Sequence, residues 1–216
     1  MKEKLSETLS APKMGRRIAM TVCGVLLMGV IVGLFKASLM GVDPFQVLCA
    51  GLDHVIPIPF GTLYVMLNFL LLVGMFFADR HYIGLGTVIN MLFLGYVAQY
   101  SQALFEFLFP NPSLAARLAM LLVAVPLLCL AGSLYITSDL GVSTYDVWAL
   151  TLARRTRYPF RVLRVGTDLL CVGLGFALLG FTPAGMIGLG TIITAFFTGP
   201  LIDFFNRKVS RPLLER

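Results

Sequence analysis

The chain has 216 residues, of which 58 % are hydrophobic and 13 % charged, with a net charge of +6. Soluble domains carry roughly a quarter charged residues, so a globular domain with one core is excluded and a polytopic membrane protein is indicated. The basic residues stand at the ends of apolar runs, which is an orientation signal and not a nucleic-acid footprint, and four scattered Cys (Cys23, Cys49, Cys129, Cys171) give neither a metal spacing nor a disulfide framework.

Residues 1–17 form a polar, basic N-terminal tail. No small-x-small cleavage site follows the apolar run Ile18–Phe35, so an uncleaved first span is expected. Six apolar segments are predicted to span, at Ile18–Ala37, Phe60–Ala78, Ile83–Phe109, Ala115–Thr137, Val162–Phe181 and Ala184–Phe204. A helix needs about 20 residues to cross roughly 30 Å of hydrocarbon. Two shorter pieces, Pro44–Leu52 and Thr144–Ala153, cannot cross and are predicted as interfacial or re-entrant half-helices. Each follows a Gly-Val pair, Gly41-Val42 or Gly141-Val142, and has Asp43 or Ser143 as N-cap, with Pro44 in the first turn. Residues 206–216 are read as a cytoplasmic tail.

With the N-terminus inside, 15 of the 17 Lys and Arg fall on the cytoplasmic side, including Arg154, Arg155, Arg157, Arg161 and Arg164 of the central loop. Only Lys36 and Arg117 fall outside. That asymmetry predicts both termini in the cytoplasm.

The two halves repeat. Shifted by 100 over positions 36–74, ten of 39 pairs are identical, among them Ser38/Ser138, Gly41/Gly141, Val42/Val142, Pro59/Pro159 and Phe60/Phe160. After a slip of four, Ile83-Gly84-Leu85-Gly86-Thr87 recurs as Ile187-Gly188-Leu189-Gly190-Thr191. Ordered matches of this kind report a duplicated unit. Three spans per unit is odd, so consecutive copies enter the membrane in opposite senses, the inverted-repeat plan of many secondary transporters. The expected fold is therefore all-α: a polytopic membrane protein of six transmembrane helices in two inverted three-helix repeats, 18–109 and 115–205, each with one short helix.

Candidate residues follow from the repeat. Asn68 and Asp168 are paired positions inside spans two and five, and an acid in hydrocarbon is expensive and marks an ion or proton site. The competing reading is an ion pair between Asp168 and Arg164 one turn earlier. Thr87/Thr191 and Asn90/Thr194 are candidates to line a shared path. Against that, Gly84, Gly86, Gly188 and Gly190 beside them read equally well as close helix packing. Asp139, Ser143 and Asp146 surround the second short helix, as Asp43 and Gln46 surround the first. A helix start attracts anions, and its own caps serve the same need. Gly41 and Gly141 are turn glycines, and Pro59 and Pro159 set the start of spans two and five. Tyr96, Gln99, Tyr100, Ser101 and Gln102 form a polar group at the end of span three, read first as interfacial anchors.

The chain lacks a Walker loop, an HExxH, a Cys/His ligand array and a Ser-His-Asp or Cys-His set. No cofactor, metal or nucleic-acid partner is expected, and nothing nominates an enzyme. The expected partners are the lipid bilayer and a small solute or ion, and a homodimer suits a chain this short.

Three stretches, Gly41-Val42-Asp43-Pro44-Phe45, Asp139-Leu140-Gly141-Val142-Ser143-Thr144-Tyr145-Asp146 and Gly188-Leu189-Gly190-Thr191, resemble the YczE/YyaS/YitT group of bacterial integral membrane proteins. The likeness runs from about Met20 to Phe205 and is nearer the YczE type. It implies a bacterial inner-membrane location and no agreed substrate. Unit one departs from unit two with Leu39, Met40 and Asp43-Pro44 where unit two has Asp139, Leu140 and Ser143-Thr144, so the halves are not equivalent. The function expected is a small secondary transporter or permease, coupled to a proton or cation through Asp168. The alternatives are a membrane accessory or scaffold protein and a membrane-embedded sensor or enzyme.

Overall fold

The computed structural model describes residues 13–78, 83–158, 160–182 and 185–215. In chain order the helices are α1 (Met14–Ser38), α2 (Pro44–Val55), α3 (Phe60–Ala78), α4 (Leu85–Leu108), α5 (Leu114–Thr137), α6 (Thr144–Arg155), α7 (Phe160–Leu178) and α8 (Leu189–Phe205). A π-helical turn, Asn206–Ser210, and a short α9, Arg211–Glu215, continue beyond α8. The chain is an all-α, multi-pass membrane protein. Among the described residues four helices are long and apolar enough to cross a bilayer: Met14–Ser38, Phe60–Phe77, Leu114–Thr137 and Leu189–Glu215.

Six such helices were expected, and the shortfall has a chemical cause. Polar Asn90, Gln99, Ser101 and Gln102 dilute α4, and Arg161, Arg164 and Asp168 stand in α7. Asn90 and Asp168 are buried inside the protein, so these two helices hide polar groups that a lipid-facing helix could not carry. The last helix also starts later than expected: Gly185 takes φ +74°, and α8 begins at Leu189 instead of Ala184. Pro159 and Ala184 lie outside the described residues, as do residues 1–12 of the tail. The C-terminal residues read as a tail are helical to Glu215.

Large apolar side chains cover the outside, among them Phe77, Phe107, Leu122 and Phe181. The interior instead uses small residues that let helices approach. A Cβ on Gly24 of α1 would stand 2.9 Å from the Ala131 carbonyl of α5, and one on Gly29 would stand 2.7 Å from Val97 of α4. One buried cluster draws on both halves of the chain: Phe45, Cys49, Phe60, Tyr64, Tyr135, Tyr145 and Cys171. A second packs Phe35, Val42 and Val47 on Met120, Leu121 and Ala124 of α5.

The halves interlock through their glycine turns. Gly41 (φ +101°) and Gly141 (φ +126°) hold a conformation that only glycine adopts without strain. The turn after α1 pairs with the stretch before α8: Gly41 N–H donates to Gly185 C=O at 3.0 Å, and Gly190 N–H donates to Met40 C=O at 2.8 Å. The turn after α5 pairs in the same way with the start of α4, where Gly86 N–H donates to Leu140 C=O at 2.7 Å. A Cβ on Gly84 would stand 2.1 Å from the Leu140 oxygen, and one on Gly188 would stand 2.5 Å from the Met40 oxygen. The short helices cross over as well. Val47 and Gly51 of α2 meet Gly175 of α7 backbone to backbone, and Trp148 of α6 covers Gly74 of α3.

Candidate functional site

Both short helices point their first turns at one place. The ring of Phe45, in the first turn of α2, stacks on that of Tyr145, in the first turn of α6, with centroids 4.7 Å apart and planes at 24°. Asp43 caps α2 by accepting from Gln46 N–H at 3.3 Å, and Pro44 fills the first helical position, where no N–H is needed. Ser143 occupies the matching position of α6 without a capping side-chain bond. The expected cap on the second short helix is therefore corrected: its first turn is tied down by the residues that follow Ser143.

Those ties are the polar core of the molecule. Thr144 Oγ1 donates to Asn68 Oδ1 of α3 at 2.5 Å, and Asn68 Nδ2 donates back to the Tyr64 carbonyl at 2.8 Å. Tyr145 Oη donates to Asp168 Oδ1 of α7 at 2.7 Å. Arg164 Nε stands 3.3 Å from the same Asp168 oxygen, its guanidinium pairs with Asp146, and it lies 4.6 Å from the centre of the Tyr145 ring. Asn68 and Asp168, matched positions of the two halves, thus converge on two consecutive residues of one short helix. Asp168 is 5 % exposed.

Rings continue from this centre in the other direction. Phe45 meets Tyr64 edge to face at 6.0 Å, Tyr64 meets Phe60 at 6.2 Å, and the Lys36 ammonium sits 3.0 Å from the centre of the Phe60 ring. A ladder of four aromatic rings, Phe60–Tyr64–Phe45–Tyr145, therefore runs between two cations, Lys36 and Arg164. Lys36 is 3 % exposed. Its place among the basic residues expected on the outer side hid it from a sequence reading. The signal available was its place at the end of an apolar span, just before the repeated glycine turn.

The other candidates sit around this centre. Thr87 Oγ1 accepts from Gly84 N–H at 3.3 Å and donates to Val142 C=O at 2.8 Å, which ties α4 to the turn of the other half. Thr191 Oγ1 accepts from Gly188 N–H at 3.2 Å and donates to Met186 C=O at 3.2 Å. Thr194 bonds back to Gly190 C=O at 2.8 Å, and Asn90 is buried. Asp139 is apart from the group: its exposed carboxylate, in a left-handed residue (φ +53°), stands 3.7 Å from Arg17. In the polar group of α4, Gln99 Oε1 accepts from Gly61 N–H at 2.7 Å and Ser101 Oγ donates to Gly29 C=O at 3.1 Å. Those two residues join helices within the protein, whereas Tyr100 is exposed. Among the described residues no group of His, Cys, Asp and Glu is arranged to hold a metal.

Comparison with known proteins gives a family without an activity. Residues 15–207 match the family of unknown function DUF6198. An uncharacterized protein of Haemophilus influenzae is 29 % identical over 133 residues, which is 60 % of this chain and 56 % of that protein. The match therefore spans little more than half of that relative's length. No solved structure matches the chain. The resemblance to the YczE/YyaS/YitT group is corrected by these matches. Glycine turns and half-helices are shared devices of membrane folds, and they do not separate one such family from another.

Proposed function

The chain belongs to the DUF6198 family of unknown function, and on that premise we propose that it is a small secondary transporter or permease of a bacterial cytoplasmic membrane. Its six spans are α1, α3, α4, α5, α7 and α8, in two inverted units, with both termini inside. The observation that carries this reading is the reciprocal crossing of the glycine turns. A two-fold relation between the units requires that a contact from unit one to unit two be matched by its exchange partner. The Met40–Gly190 and Leu140–Gly86 bonds are such a pair. The odd number of spans in each unit then makes the relation an inversion across the membrane.

The unit interface is where alternating access would open and close. Asp168 is the coupling acid in this reading. Its charge is held by Arg164 within α7 and by Tyr145 of α6, and the Tyr145 bond and the Arg164–Asp146 pair bridge α6 and α7. Protonation or cation binding at Asp168 releases its hold on Tyr145 and Arg164 and lets the first turn of α6 move relative to α7. Thr87, Thr191, Asn90 and Thr194 belong to the walls of the same interface. A scaffold role is the second reading, favoured by one fact: Asn68, Thr144, Tyr145 and Asp168 already satisfy one another.

Single cysteines at positions 87, 168 and 191, in a background without Cys23, Cys49, Cys129 and Cys171, separate the two. A transporter exposes them to small water-soluble thiol reagents from one or both sides. A sealed core leaves all three unlabelled and sinks the proposal.

A further inference from the structure

We infer that α2, α3, α6 and α7 form a bundle that rocks between α4 and α8, and that the structure is the state open to the cytoplasm, before α7 closes on α8. The inference rests on the transporter reading above and deepens it. Two matched glycines carry it. Gly95 and Gly199 are equivalent by the offset of 104 that aligns Gly84 with Gly188, and each follows a matched Phe by two residues, Phe93 or Phe197. Gly95 is buried, and a Cβ on it would stand 2.6 Å from Tyr64 Cβ of α3. Gly199 is exposed, with nothing within 4 Å of its Cβ position.

The ties within the molecule sort its helices into two groups. Asn68 of α3 and Asp168 of α7 bond to neighbouring residues of α6, and Phe45 of α2 stacks on the same turn. Val47 and Gly51 of α2 also meet Gly175 of α7. The other group is a frame of α1, α4, α5 and α8. Gly29 and Gly33 of α1 seat Val97 and Ser101 of α4, Gly24 of α1 seats Ala131 of α5, and Ser133 of α5 bonds to Asn206 at the end of α8. The bundle leans on this frame where α3 packs on α4. There a Cβ on Gly61 would stand 2.5 Å from the Tyr96 ring, and Gln99 accepts from Gly61 N–H at 2.7 Å. Among the described residues α7 and α8, the matched pair, scarcely touch. The chain passes from frame to bundle at Gly41 and Gly141, residues free to absorb a change of φ and ψ.

Exchange of the units maps the closed edge onto the open one. Tyr64 corresponds to Arg164 and Gln99 to Asp203. Closed on α8, α7 would lay the Arg164 stem over Gly199 as Tyr64 covers Gly95. The same motion brings the Asp203 carboxylate to the first turn of α7, whose free N–H groups favour an acid. In the structure both side chains are held elsewhere, Arg164 by Asp146 and Asp168 and Asp203 by Arg207 one turn later. Loosening of the Asp168 contacts is therefore the event that frees α7 to cross. A glycine weakens a helix, and the close approach that offsets this at Gly95 is reached at Gly199 only in the second state. In the topology proposed above, Gly199, Asp203 and the start of α7 lie on the cytoplasmic side, so the open edge faces inward.

The test uses the full chain in native membranes, without Cys23, Cys49, Cys129 and Cys171. Cysteines at 61 and 96 should be joined readily by copper phenanthroline, because a Cβ at 61 stands 3.0 Å from Tyr96 Cγ, within disulfide reach. The matched pair at 161 and 200 should join slowly, and at least tenfold faster once Asp168→Asn is added. With all four cysteines present the two disulfides should exclude each other, so that intact mass after alkylation finds no molecule with fewer than two free thiols. Gly199→Leu, a wedge in open space, should slow the 161–200 disulfide at least tenfold while unfolding no earlier than the parent. No 161–200 disulfide even with Asp168→Asn, both disulfides in one molecule, or a rate unaltered by Gly199→Leu overturns the inference. Thiol labelling at 87, 168 and 191 keeps the two proposals apart. Labelling without a 161–200 disulfide sinks the rocking and leaves the transporter. A 161–200 disulfide in a protein sealed at all three positions sinks the transporter and leaves the rocking.

Discussion

Arg164 carries one positive charge between two carboxylates, and that imbalance can be measured. Replacing it with Met leaves Asp168, which is 5 % exposed, with only the Tyr145 hydroxyl at 2.7 Å. Removing one partner of a buried ion pair costs about 3–5 kcal/mol. Arg164 is one-third exposed and Tyr145 remains, so the expected loss is about 2–3 kcal/mol. Asp168→Asn is milder: the amide oxygen still accepts from Tyr145 and Arg164 keeps Asp146, so about 1 kcal/mol is expected. The double variant Arg164→Met/Asp168→Asn then removes the stranded charge and should be more stable than Arg164→Met alone. Thermal unfolding in one detergent reads the order, at about 2–4 °C per kcal/mol for a chain this size. A double variant at or below the midpoint of Arg164→Met would refute the reasoning, because the two residues would then be independent.

Other substitutions test other joints. Gly141→Ala puts a side chain on a residue at φ +126° with its Cβ 2.6 Å from Thr87 Oγ1. The backbone and the crowding together should cost about 2–4 kcal/mol, whereas Gly166→Ala, with open space around it, should raise stability by up to about 1 kcal/mol. Thr144→Val strands the buried Asn68 Oδ1 and should cost about 1–3 kcal/mol, while Thr62→Val, at an exposed bond 3.3 Å long, should leave the unfolding midpoint nearly unchanged. Asn206 Oδ1 accepts from Ser133 Oγ at 2.9 Å and Thr137 Oγ1 at 2.7 Å. Asn206→Ala should therefore cost about 1–2 kcal/mol and speed proteolysis of the C-terminal helix, measured by limited digestion.

Much of the scaffold was legible because its signals are local. The long apolar runs put α3, α4, α5 and α7 within three residues of their observed bounds, and α1 and α8 within five. The Gly-Val pairs with Asp43 and Ser143 marked the starts of α2 and α6, although only Asp43 caps. The pairing of Asp168 with Arg164 was readable from the four-residue spacing. What stayed hidden is what depends on the partner half. Sequence equates Asn68 with Asp168, but nothing local says that both reach for the same short helix, through Thr144 and Tyr145. Phe45 and Tyr145 are equivalent by the repeat, yet their stacking is a property of the crossing. Asp139, conspicuous inside a glycine motif, ends beside Arg17 away from the centre, because its left-handed backbone turns it outward. Lys36 reads in sequence as one more flanking charge, and only its burial in the fold sets it apart.

Pro57 and Arg157 occupy matching places in the repeat and are both exposed, in the loops that follow the two short helices. Cysteine at each, in a background lacking the native thiols, can be labelled in intact cells with a membrane-impermeant maleimide. Two units turned over relative to each other predict that position 57 labels at once and position 157 only after permeabilisation. Labelling of both positions from the same side of the membrane would contradict it.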